Sequence, residues 1–64
     1  MRLSVPDMHC GGCLRSVTRA IAAIDTTATV TPDLDRRDIT VATRARPQDI
    51  LAALASAGFP AVMR

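Results

Sequence analysis

The chain has 64 residues, with eight arginines against six aspartates and a formal net charge of +2. A domain of this length buries only about 60% of the surface its unfolded chain exposes, and with one Phe and no Trp or Tyr its core must be aliphatic. That leaves little room for a deep substrate pocket, so an enzyme is not expected, and the scattered arginines lack the dense basic stripe and stacking aromatics of a small nucleic-acid binder.

Leu3 and Val5 alternate with Arg2 and Ser4, the period of a strand, which Pro6 and Asp7 close. Gly11-Gly12 predicts a mobile loop. From Cys13 onward, Leu14, Val17, Ile21 and Ile24 form the apolar stripe of a helix that ends at Asp25-Thr26, with Arg15 and Arg19 on its exposed side. Residues 26–30, rich in Thr and Val, suit a strand. Pro32 to Arg37 reads as a turn, and Asp38 to Thr43 as the returning strand of a hairpin. Pro47 opens a second helix with Ile50, Leu51, Leu54 and Ala57 on its buried stripe and Gly58 as C-cap. Ala61-Val62-Met63 forms a last strand. The order is β-α-β-β-α-β over residues 1–64, an α+β ferredoxin-like sandwich. A four-stranded antiparallel sheet carries both helices on one face, and the Thr-rich positions suit the open face.

Two cysteines three positions apart cannot staple a secreted fold. No apolar segment resembles a leader or approaches the roughly 18 residues of a membrane span. Reducing cytosol is the expected compartment, where both thiols stay available. Thiolates are soft ligands that select Cu(I), Zn(II) and related ions over hard cations. Cys10 and Cys13, in Met8-His9-Cys10-Gly11-Gly12-Cys13, are the expected metal ligands. Two sulfurs give the open, near-linear site that suits Cu(I), whereas structural zinc wants four ligands. Cys13 falls in the first helical turn, where orphan N–H groups and the macrodipole favour negative charge. The glycines leave room for a partner to approach, and Arg15 lies about one turn along.

Met8-x-Cys10-x-x-Cys13 between a first strand and a first helix resembles the heavy-metal-associated domain family. Val5-Pro6-Asp7-Met8 and Ala57-Gly58-Phe59 extend the likeness over nearly the whole chain. The family includes cytosolic copper chaperones, the amino-terminal domains of copper-exporting P-type ATPases and a periplasmic mercury-binding protein. The resemblance implies that Cys10 and Cys13 bind the metal and that Met8 is a core residue under the loop. It also places Phe59 in the loop before the last strand, close to the metal loop. Phe at that position is common in ATPase domains; the chain's bounds argue instead for a free-standing chaperone.

The implied function is a copper chaperone that hands Cu(I) to the metal-binding domain of a copper-transporting P-type ATPase by thiolate exchange. Arg15 and Arg19 are candidates for docking, with solvated helix positions as the bland reading. The chain would be a monomer or a metal-bridged homodimer, with no nucleic acid bound and no insertion into a membrane. Zn(II) or Hg(II) handling is the alternative within the family, and a dithiol redox protein the alternative outside it. His9 departs from the family pattern, where Thr or Ser is usual. It reads as a third ligand, a proton-linked modulator or a solvated side chain.

Overall fold

The computed structural model describes residues 1–9 and 11–64. Six elements follow one another: β1 (Arg2–Ser4), α1 (Gly11–Ile24), β2 (Thr29–Asp33), β3 (Asp38–Ala42), α2 (Pro47–Ser56) and β4 (Val62–Met63). The strands make one sheet in the order β2-β3-β1-β4, with every neighbouring pair antiparallel. This is the ferredoxin-like arrangement that the element order predicts.

Register decides which residues meet the helices. Leu3 lies opposite Ile39, and Val30 opposite Val41, so these four share the face toward α1 and α2. Leu3, Ile39 and Val41 join Val5, Met8, Val17 and Ile21 from the first half and Ile50 and Leu54 from α2 in one buried cluster. The other face carries Arg2, Thr31 and Thr40, all exposed. Here Asp38 is the exception, a carboxylate only 2% exposed. Arg64 covers it with a two-pronged contact, Nε to Oδ1 at 3.3 Å and Nη2 to Oδ2 at 3.1 Å. Arg2 adds a looser approach at 3.6 Å. Every buried polar side-chain atom among the described residues has a partner.

Several boundaries differ from those the sequence predicts, each for a physical reason. Gly11 and Gly12 do not form a loop but open α1. The first helical residues have no intrahelical acceptor to reach, so glycine costs least there, and Ser16 Oγ bonds back to the Gly12 carbonyl at 3.2 Å. The second strand starts at Thr29, not at residue 26. Asp25 claims the intervening threonine: its Oδ1 accepts from Thr27 N–H at 3.0 Å and from Thr27 Oγ1 at 2.7 Å. The Asp25 carbonyl accepts from Ala28 N–H at 3.1 Å. A local turn of this kind outcompetes the strand propensity of Thr. Pro32 and Asp33 belong to β2, on an outer strand where the missing proline N–H is tolerated.

Two residues expected on buried stripes are exposed. Ile24, 45% exposed, is the last residue of α1 and overshoots the core. Ala57 is the C-cap of α2, past the buried turn. There Gly58, at φ 89°, donates to the Ala55 carbonyl at 3.1 Å, and Phe59 N–H reaches the Leu54 carbonyl at 2.8 Å. This is a Schellman stop, and only a residue at ease in the left-handed region ends the helix so cleanly.

Candidate metal centre

The loop that bears the cysteines is tied at its base. Beyond β1, Val5 buries its side chain completely, and its N–H donates to the Arg37 carbonyl at 2.7 Å. Pro6 and Asp7 turn the chain, and Met8 N–H closes that turn on the Val5 carbonyl at 3.0 Å. Arg37 Nη1 donates to the Pro6 carbonyl at 3.3 Å. Met8 then sinks into the core with no exposed surface. Its thioether thus fills the space under the loop as packing, a role that suits a flexible, polarizable side chain.

Next in the chain, His9 is exposed. Cys10 lies outside the described residues. Cys13 is the third residue of α1, half-buried and packed against the hydrophobic cluster. It therefore sits where the helix's first N–H groups find no acceptor within the helix. Phe59, also half-buried, packs on the same cluster. Ser4 pairs with Val62, so the loop before β4 lies at the same end of the sheet as the loop after β1. Met8, Cys13 and Phe59 thus meet at one end of one core. Arg15 and Arg19 are exposed on α1, and neither enters an ion pair among the described residues.

Among the described residues no three His, Cys, Asp or Glu side chains come together as a metal site. A closed four-ligand centre within one chain would need at least three besides Cys10. Among the described residues, Cys13 therefore has fewer than two such side chains gathered with it.

A family model for the heavy-metal-associated domain matches residues 2–60. The chain belongs to the heavy-metal-associated domain family. Solved structures agree. A gold-binding protein is 41% identical with a TM-score of 0.95, the match covering 100% of this chain and 98% of that one. The copper chaperone Atx1 from Synechocystis PCC6803, in a trimeric form, is 32% identical with a TM-score of 0.94, over 97% of this chain and 98% of that one. Oxidized MerP from Ralstonia metallidurans CH34 is 28% identical with a TM-score of 0.79, over 95% and 89% of the two chains. Among curated proteins none matches the sequence. The heavy-metal-associated domain is a metal-carrying fold. Among the described residues no helix is long and apolar enough to cross a membrane.

Sequence reasoning overlooks Arg37 and Asp38 in the role the structure gives them. Arg37 reads as one more polar turn residue, and nothing in its type signals the left-handed backbone it adopts, with φ 55°. Asp38 begins an alternating strand, and only its pairing with Ser4 beside Arg2 and Arg64 explains why a carboxylate is buried there.

Proposed function

We propose that this chain is a metallochaperone that holds Cu(I) between Cys10 and Cys13 and passes it to the metal-binding domain of a copper-transporting P-type ATPase. The observation that carries the reading is the position of Cys13: in the first turn of α1, half-buried against the core, in a chain of this family. Spacing brings in Cys10 as the second ligand. Two thiolates leave a d¹⁰ ion undercoordinated, so a partner thiolate can attack it and form a three-sulfur intermediate. Cys10 or Cys13 then leaves as thiolate and takes up a proton, with no change in oxidation state. The likeness to a copper chaperone supports this choice of cargo. Docking is electrostatic and weak, with Arg15 and Arg19 presented on the exposed side of α1 to an acidic surface.

The test is Cu(I) titration in competition with a chelator, followed by thiolate–metal absorption in the ultraviolet. Cys10→Ser and Cys13→Ser each abolish tight binding and leave the far-ultraviolet circular dichroism unchanged. Retention of tight binding by either variant sinks the reading, as does a preference for Zn(II) or Hg(II) over Cu(I). Coupling to a disulfide reductase would favour the redox alternative. His9 carries no required role in this reading. It becomes a ligand or a modulator only where His9→Ala changes Cu(I) affinity or its pH dependence.

A second cargo has a specific observation behind it. The gold-binding protein is 41% identical across the whole chain, and Au(I) shares with Cu(I) the d¹⁰ configuration, the softness and the taste for two sulfurs. Competition between the two ions at the same cysteines separates a general monovalent soft-metal carrier from a copper-restricted one. We take the compartment to be the cytosol. The carrier acts as a monomer and forms a metal-bridged homodimer when copper is shared.

A further inference from the structure

We propose that Arg37 is a positioning residue of the metal loop, an inference that rests on the metal-carrier reading above. Because β1 and β3 are antiparallel with Ser4 opposite Asp38, the β2–β3 turn reaches the end of the sheet from which the cysteine loop departs. Arg37, the last residue of that turn, grips the loop twice. Its carbonyl accepts from Val5 N–H at 2.7 Å, and its guanidinium donates to the Pro6 carbonyl at 3.3 Å. Val5 in turn accepts from Met8 N–H at 3.0 Å. A continuous run of hydrogen bonds thus links Arg37 to Met8, two residues ahead of Cys10.

The backbone of Arg37 adds an independent observation. Among the described residues it is the one non-glycine residue with positive φ, at 55°. A side chain at that conformation crowds its own backbone, and glycine would avoid the penalty. Strain of this sort persists where the surroundings over-determine it, and it is a pointer to function. Burial does not demand the contact, since Arg37 is exposed. What the guanidinium supplies is order in the Pro6 turn and a positive charge at the root of the loop. Both favour capture of a metal by two thiolates: the first lowers the cost of organising the loop, and the second offsets the net negative charge of the loaded centre.

Arg37→Gly separates these roles from mere structure. It removes the guanidinium, keeps the main-chain bond to Val5 and relieves the strain at φ 55°. The apo protein is expected to melt at or above the wild-type temperature while binding Cu(I) about three- to tenfold more weakly, the value of one hydrogen bond. Arg37→Lys retains the charge and a donor and recovers part of that loss. Wild-type affinity in Arg37→Gly overturns the positioning role, and so does a loss of affinity accompanied by a lowered melting temperature. If the wild-type protein itself fails to compete for Cu(I), the carrier reading falls and this inference with it. Wild-type competition with an unaffected Arg37→Gly rejects the inference alone.

Discussion

A Cβ added at Gly11 would meet no atom within 4 Å, and nothing in its immediate surroundings demands glycine there. Alanine is the better helix former by roughly 0.5–1 kcal/mol in a helix interior, and by less at this first position of α1. Gly11→Ala is therefore expected to raise the melting temperature slightly. Between the two proposed ligands, however, a bare backbone leaves space for an attacking thiolate. Slower metal exchange with an acceptor domain, in a variant that is otherwise no less stable, would assign that residue to delivery. Met8 offers the reverse case. With no exposed surface, it should tolerate Met8→Leu at less than about 1.5 kcal/mol, because volume and polarity are nearly kept. Cu(I) affinity should not move in the chelator competition. A large drop would instead make the thioether a ligand.

At the scale of elements, β4 has two residues, both exposed, and needs help from outside its own ladder. Arg64 provides it. Its N–H donates to the Arg2 carbonyl at 3.0 Å while its guanidinium spans both oxygens of Asp38. Arg64→Ala leaves that carboxylate with Arg2 alone at 3.6 Å, and Asp38 is only 2% exposed. An under-satisfied buried charge costs about 1–3 kcal/mol, with partial relief where water enters. Denaturant unfolding is expected to show a lower midpoint with an unchanged slope, and amide exchange should speed up first at Val62 and Met63. Elements differ greatly in how far the sequence reveals them. The stripes Val17–Ile21 and Ile50–Leu54, the proline at the head of α2 and Gly58 beyond its end are strong local signals, and the structure follows them. β2 is misplaced because the side chain of Asp25 diverts Thr27, a contest between local hydrogen bonds that propensity does not register. At the site, spacing marks the two proposed ligands. Arg37, which holds the Pro6 turn ahead of them, lies some thirty positions from that turn, and only the pairing of β1 with β3 brings it near.

Across the molecule, stability is scarce: 64 residues imply a net unfolding free energy of roughly 3–10 kcal/mol. One knot of hydrogen bonds ties the two halves together at the end away from the cysteines. Asp25, after α1, accepts from Thr43 Oγ1 at 2.6 Å and from Arg44 N–H at 3.3 Å beyond β3, besides its bonds to Thr27. These donors, the Thr43 hydroxyl foremost and then Thr27 and the Arg44 amide, hold the Asp25 carboxyl well below the ordinary carboxylate range. The charged form is the one favoured by folding. Its contribution is therefore complete above the unfolded value of about 4 and drains away as the pH falls from there toward the lowered folded value. Denaturant midpoints between about pH 4 and pH 2 should fall more steeply for the wild type than for Asp25→Asn. The variant should start lower at neutral pH. Parallel curves would show that the knot adds nothing to acid resistance.

The separation of that knot from the cysteine loop has a consequence for how such a chain can change over time. The Asp25 knot and the proposed cargo site lie at opposite ends of the sheet, so substitutions of the exposed residues in the loop after β1 leave Asp25, Thr27 and Thr43 untouched. A lineage can therefore try new ligand sets at one pole without first losing its fold at the other. The same division makes the loop a natural place for laboratory selection of altered metal preference.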